Sequence, residues 1–234
     1  RYPLREYRRT NSEGAVRVAR FAKECGVRRF VFMSTVKVLG EVTEIGKPFD
    51  ENAPINPQDP YSISKAEAEE LLADFHDPDG FQVVVVRPPL VYGQGVKGNL
   101  KRLVSLADAK IPLPLGAIEN RRDLVGVDNL CSFIKYCLRT DLPNFNRFLV
   151  SDDHRVSTRE LYKTICKVRG TNPMTPTVPA GILEAMLLVL GKKGLWRRIS
   201  DSLEVDIEHS KKVLNWAPGI SFQDGMHAAF RRIQ

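Results

Sequence analysis

The chain has 234 residues, 43% of them hydrophobic and 27% charged, a balance that suits one large soluble domain or two small ones. The net charge of +7 is carried by scattered Lys and Arg with no aromatic-interleaved basic stripe, so no nucleic-acid partner is expected. Four cysteines (Cys25, Cys131, Cys137, Cys166) show no CxxC spacing and no secretory leader opens the chain, so reduced thiols and a cytoplasmic location are the expectation.

Residues 4–25 place Val16, Ala19 and Ala22 at helical spacing, and Gly26 stops that helix. A buried strand follows over 29–34 and ends in two hydroxyls, Ser34 and Thr35. Residues 40–59 are rich in Pro, Gly and acids, and read as a loop over a site. A helix starts at Tyr61 and runs to about residue 75. The β-branched run 81–87 is typical of a parallel strand covered on both faces. Two such strands around a helix predict a βαβ unit and a doubly wound sheet. Helices over 99–109 and 128–139 and a strand over 147–151 continue the alternation. Ser157 and Glu160 form a capping-box pattern, residues 171–179 read as a linker, and Ser221 with Asp224 opens the last helix. The most apolar stretch, 182–190, falls far short of the roughly 20 residues a bilayer needs, so no membrane span is expected. Its expected place is a buried or groove-lining helix, with a contact to a membrane surface as the lesser alternative.

The chemistry concentrates in Asp59-Pro60-Tyr61-Ser62-Ile63-Ser64-Lys65. A spacing of four puts Tyr61 and Lys65 on one helix face. An ammonium beside a phenol would favour the phenolate, and a strand-end hydroxyl could bind the same substrate oxygen. These are the parts of a proton-transfer site for alcohol/ketone interconversion, which also needs a hydride carrier. YxxxK alone arises often by composition. The proline before the tyrosine and the hydroxyl-ended strand upstream give it meaning. Gly93-Gln94-Gly95-Val96-Lys97-Gly98 matches GxGxxG, but no proper first strand precedes it and no acidic strand end follows, so it reads as a loop near a ligand. His76, His154, His209 and His227 lack metal-ligand spacing, and no metal is expected. The basic spots Arg121-Arg122 and Arg197-Arg198 suit a small anionic ligand.

Taken together, several segments resemble the extended short-chain dehydrogenase/reductases of the nucleotide-sugar epimerase/dehydratase family, of the UDP-glucose 4-epimerase kind. They are Asn11-Ser12-Glu13-Gly14, Phe30 to Thr35, Pro60 to Lys65, Arg87-Pro88-Pro89-Leu90-Val91-Tyr92-Gly93, Gly98-Asn99-Leu100, Arg121 to Asn129, and Val205-Asp206 before Leu214-Asn215-Trp216. The resemblance implies an α/β fold: a partial Rossmann-like doubly wound parallel sheet with a small, mostly helical C-terminal substrate lobe. Residues 1–95 would be the remainder of the dinucleotide-binding domain. Residues 96–234 would be mainly the substrate lobe, with about 122–152 returning to the sheet.

The same resemblance implies roles. Tyr61 would be the acid/base, Lys65 would tune it and bind the nicotinamide ribose, and Thr35, with Ser34 beside it, would be the catalytic hydroxyl. Asn11 and Pro88 would stand at the cofactor, which is NAD, with NADP an open alternative. Asn99, Leu100, Arg122 and Arg198 would hold the nucleotide diphosphate of a UDP-linked sugar. The implied reaction is 4-epimerisation or 4-keto-sugar reduction, in polysaccharide biosynthesis, with homo-oligomer contacts left open. A 4,6-dehydratase is disfavoured, because Thr35 is followed by Val36-Lys37 where that branch has Asp-Glu. A hydroxysteroid- or flavanol-type dehydrogenase and a catalytically silent binding module stay as alternatives. Two positions depart from the family pattern, Leu39 for Tyr and Leu90 for Asn. The glycine-rich first βα turn has no counterpart here, so this chain alone is expected to bind NAD weakly.

Overall fold

The computed structural model describes residues 3–75, 80–143, 145–172 and 174–231; His76 lies outside them. Helix α1 (Leu4–Tyr7) runs through a π-helical segment (Arg8–Glu13) into α2 (Gly14–Glu24). The expected first helix is therefore present, with a π segment that its spacing does not reveal. Strand β1 (Arg29–Met33) leads to a 3-10 turn (Val36–Val38) and then to α3 (Pro60–Ala73). The start of α3 is set locally. Extended Asp59 accepts the Ser62 N–H at 2.7 Å, its own N–H reaches the Ser62 hydroxyl at 3.1 Å, and Pro60 opens the first turn.

Strand β2 (Gln82–Arg87) follows, then β3 (Leu90–Tyr92), α4 (Gly98–Asp108), β4 (Leu124–Gly126), α5 (Val127–Arg139) and β5 (Phe145–Leu149). The remaining elements are helical: α6 (Thr158–Val168), α7 (Ala180–Val189), α8 (Lys193–Ser200), α9 (Glu208–Leu214) and α10 (Phe222–Phe230). The main sheet has the order β1-β2-β5 and is parallel throughout, with Phe32 opposite Val85 and Val85 opposite Arg147.

Alternation along the strands divides the sheet's two faces. Phe32, Val83 and Val85 pack on Ala19 of α2 and on Ala68 and Leu72 of α3. Val84 and Val86 turn the other way, into a cluster with Phe133 and Cys137 of α5, Phe148 and Trp216. Double coverage is what the unbroken valine run requires, and the architecture is α/β with a doubly wound parallel sheet. A second core joins Leu100 and Ala107 of α4, Leu161 and Ile165 of α6, and Met226 and Phe230 of α10.

Three local expectations are corrected, and one ladder was not foreseen. Strand β5 begins two residues earlier than its composition suggests, because its register is set by pairing Phe145 with Val83. The short β3–β4 ladder was not legible behind Pro88-Pro89. The box at α6 is half formed: Ser157 Oγ accepts the Glu160 N–H at 3.0 Å, but the Glu160 carboxylate faces His154 at 3.8 Å. The apolar stretch 182–190 is not buried. Of α7, Leu183 enters the second core and Leu187 packs on it, whereas Ile182, Met186 and Val189, and Leu190 just past the helix, are exposed.

Tyr92, at the end of β3, is buried and donates to Asp152 Oδ2 at 2.7 Å. A Cβ at Gly225 would sit 2.4 Å from the Tyr92 hydroxyl oxygen, so α10 can cross the tyrosine there only with glycine.

Candidate active site

Tyr61 and Lys65 lie one turn apart in α3, both half-buried. The Lys65 ammonium donates to the Met33 carbonyl at 2.8 Å and stands 4.5 Å from the centre of the Phe32 ring. The lysine is thus pinned to the C-terminal end of β1, the end where doubly wound sheets place their ligands. Burial lowers the Lys65 pKa, with the Glu69 charge acting against it. Tyr61 packs edge-to-face on Tyr7, with ring centres 5.8 Å apart.

The Tyr61 pKa is raised rather than lowered, first by burial and then by the Asp59 charge, with Lys37 pulling it down. This corrects the expectation that Lys65 would favour the phenolate. The ammonium of Lys65 is held on a backbone carbonyl, and Lys37 supplies the opposing charge instead.

The two strand-end hydroxyls part company. Ser34 is buried and its hydroxyl donates to Glu69 Oε1 at 2.5 Å. Glu69 in turn receives Arg87 through Nε at 3.1 Å and Nη2 at 2.6 Å. Ser34 therefore belongs to a buried network, which removes it as a candidate catalytic hydroxyl. Thr35 is half-buried, caps the 3-10 turn by accepting the Lys37 N–H at 3.3 Å, and is the hydroxyl left for a ligand.

That turn is tied to the tyrosine helix. Lys37 Nζ lies 2.8 Å from Asp59 Oδ2 and 2.7 Å from Glu41 Oε1. Burial works against the Lys37 charge, yet its hydrogen bonds to Asp59 and Glu41 leave its pKa raised. Lys37 and Asp59 were missed as site residues. The Asp59–Ser62 cap was a visible signal for one of them, but pairing across 22 positions has no local signature.

Asn11 sits in the π segment and donates to Ser64 Oγ at 3.0 Å, while Ser12 donates to the Ser64 carbonyl at 2.8 Å. Ser64 passes the chain on to the Tyr61 carbonyl at 2.7 Å. Asn11 thus braces the Tyr61–Lys65 turn. Pro88 is buried just past β2, and its carbonyl accepts the Val36 N–H at 3.0 Å, joining the β2 end to the Thr35 turn. Gly95, in the turn after β3, and Gly98, at the start of α4, adopt φ values of +73° and +70°, and neither follows a strand of the main sheet.

The candidate diphosphate residues are spread over α4, the segment before β4, and α8. Asn99 is exposed in the first turn of α4, but the Leu100 side chain is in the second core, which leaves it only backbone groups to offer a ligand. Arg122 Nε donates to the Asp201 carbonyl at 3.0 Å, leaving its terminal amino groups without a protein partner among the described residues. Burial lowers its pKa, opposed by the Asp201 charge. Arg198 is exposed on α8, three residues before that carbonyl.

Two open clefts, about 330 Å³ beside Tyr92 and Asp128 and about 420 Å³ beside Arg121 and Arg155, include neither Tyr61 nor Lys65. The chemistry of the Tyr/Lys pair outweighs cleft size in choosing the site. Among the described residues no group of three His, Cys, Asp or Glu is placed to hold a metal. None of the described helices is long and apolar enough to cross a membrane.

Comparison with known proteins identifies the family. Residues 3–150 match the NAD dependent epimerase/dehydratase family. A UDP-glucose 4-epimerase of Vibrio cholerae is 38% identical over 224 residues, covering 95% of this chain and 68% of that protein. An N-acetyl-alpha-D-glucosaminyl-diphospho-ditrans,octacis-undecaprenol 4-epimerase of Escherichia coli O157:H7 is 31% identical, covering 82% of this chain and 60% of that one. Among solved structures, UDP-glucose 4-epimerase of Thermotoga maritima with UDP-glucose superposes with a TM-score of 0.74 at 22% identity, covering 97% of this chain and 71% of that chain. A dTDP-glucose 4,6-dehydratase of Bacillus anthracis with NAD gives 0.75 at 21% identity, with 98% and 69% covered. This chain therefore spans roughly two thirds of the length of its relatives. The family match over most of the chain, the doubly wound sheet and the Tyr61–Lys65 turn at its carboxyl end lead to one conclusion: this chain belongs to the NAD dependent epimerase/dehydratase family.

Proposed function

We propose that the chain carries the proton-transfer and sugar-binding parts of an NAD-dependent enzyme acting on a nucleotide-diphosphate sugar, most simply a UDP-hexose 4-epimerase. A 4-keto-sugar reductase uses the same residues in one direction only. The observation that carries the reading is the fixing of Lys65 to the Met33 carbonyl, which holds the Tyr61 helix at the carboxyl end of β1.

In this reading Tyr61, ionised to the phenolate, removes the proton of the sugar 4-hydroxyl and returns it as the phenol. Thr35 donates to the same oxygen and holds it in place. The cofactor supplies hydride acceptance and return. Lys65, Tyr61 and Pro88 suit its ribose–nicotinamide end, since they offer an ammonium, a phenol and an apolar wall beside two strand ends. The turns leaving the three strands carry Ser34-Thr35, Pro88-Pro89 and Val150-Ser151, none of them a glycine-rich helix N-terminus for a pyrophosphate. The residues present thus fit the nicotinamide end alone, and NAD and NADP are not distinguished by them.

Arg122 and Arg198 are the groups for the substrate diphosphate, because a guanidinium fork matches phosphate oxygens. This favours a charged nucleotide-sugar over a steroid or flavanol. Lys37 stands where a dehydratase would need a carboxylate, and it is paired with Asp59, which weighs against elimination.

The test is product analysis by NMR in the protein that carries this chain, supplied with NAD and UDP-glucose. UDP-galactose should form, and Tyr61→Phe should slow turnover by about 10²–10⁴-fold while leaving UDP-sugar binding nearly unchanged. Turnover of the variant within threefold of the parent would overturn the assignment.

A further inference from the structure

Helices α7 and α8 form a hairpin on the second core, with inward residues Leu183, Leu187, Trp196 and Ile199 packed against it. Their opposite sides are turned to solvent together. On α7 that side carries Ile182, Met186 and Val189, and Leu190 follows at the hairpin tip. Val189 is 88% exposed and Leu190 61%. The spacing of 182, 186 and 189 is a continuous helical stripe. Gly191 turns the chain at φ +67°, and the exposed cations Lys192, Lys193, Arg197 and Arg198 follow at once. Within residues 180–200 these four cations face a single carboxylate, Glu184. None of the four pairs with a carboxylate among the described residues.

We propose that this hairpin docks the protein on an anionic lipid surface, with Val189 and Leu190 inserted at the headgroup–acyl boundary and Lys192, Lys193 and Arg197 at headgroup level. This goes beyond the proposed reaction and does not depend on it.

Charge decides the occupant. An isologous contact between two copies would oppose the same cation cluster to itself across the interface, whereas a surface of anionic headgroups neutralises it. The apolar groups protrude at a tip, next to unpaired Lys and Arg, which is the arrangement of an interfacial anchor. The ten residues of α7 are too few to span a bilayer, so the contact is peripheral. The hairpin is also joined to the candidate diphosphate site, since the Asp201 carbonyl just past α8 accepts from Arg122 Nε. Docking would therefore bring that site near the lipid surface.

Co-sedimentation of the chain with pure-lipid vesicles tests the proposal, comparing phosphatidylcholine alone with a phosphatidylcholine/phosphatidylglycerol mixture. Binding is expected to the anionic vesicles only and to weaken with added salt. Lys192→Glu with Lys193→Glu should lower vesicle affinity by about tenfold or more. Val189→Asp with Leu190→Asp should abolish binding while circular dichroism stays unchanged, since both side chains already face water. Absence of binding to anionic vesicles, equal binding to neutral ones, or full binding by the Asp variant would overturn the proposal. So would light scattering that shows a dimer which the Asp variant breaks, because the stripe would then be a contact between copies.

Discussion

Lys37 Nζ stands 2.8 Å from Asp59 Oδ2, and their charges act on Tyr61 in opposite directions: Lys37 favours the phenolate and Asp59 opposes it. The pair also ties the Thr35 turn to the first residues of α3. One ion pair thus positions both candidate hydroxyls and sets the balance of charge around the tyrosine.

This relationship makes a two-sided prediction for the pH dependence of kcat/KM. Lys37→Met should move the limb that reports Tyr61 ionisation to higher pH. Asp59→Asn, which keeps a capping side chain, should move it to lower pH. Shifts of both variants in the same direction, or none in either, would remove the pair from control of Tyr61.

Arg122 offers a second test. Its terminal amino groups have no protein partner among the described residues, while Nε is anchored on Asp201. Arg122→Ala should weaken UDP-glucose binding by at least about tenfold, as the loss of a charge-assisted bond of roughly 1.5–3 kcal/mol implies. Calorimetric titration on parent and variant measures it, and the lysine variant should recover only part of the affinity because it lacks the fork.

The buried Glu69–Arg87 pair predicts a stability effect. Both side chains are almost fully buried, and Glu69 also holds the Ser34 hydroxyl. Removing Arg87 leaves the buried Glu69 charge only the more distant Arg147, 3.7 Å away, so Arg87→Met should cost on the order of 3 kcal/mol in urea unfolding. Arg87→Met with Glu69→Leu should cost less than Arg87→Met alone. Equal loss in both would mean that packing, not charge, dominates at this site.

Asp123 predicts a dependence on pH. It is buried with Glu204 around Arg155, and burial, aided by the Glu204 charge, pushes its pKa up to about 6 against the bonds from Val205 and Arg155. The native state then holds the Asp123 proton more tightly than the unfolded chain, whose aspartates titrate near 3.9. Stability from this group is highest below about pH 4 and is lost as pH rises through about 6. The stability of Asp123→Asn relative to the parent should therefore improve between pH 4.5 and pH 7, by on the order of 2 kcal/mol. A difference that is constant across that range would show that Asp123 is ionised throughout.

The amino-acid sequence by itself determined the elements whose cause is local. The valine run 81–87 had to be a doubly covered strand, the proline before Tyr61 marked a helix start, and a spacing of four had to put Tyr61 and Lys65 on one face. Motif order was enough to name the family. Tertiary structure decided what each polar group faces. Ser34 and Thr35 are neighbours in sequence, yet alternation along an extended chain sends one to Glu69 inside and leaves the other half-buried. Lys65 was expected to act on Tyr61, but its ammonium is held by a backbone carbonyl of β1, and Lys37 from a distant turn supplies the charge. The stretch 182–190 shows the same limit. Its apolarity was plain, but whether it lies inside or outside depends on which neighbours the fold provides, and the second core takes only one side of the helix.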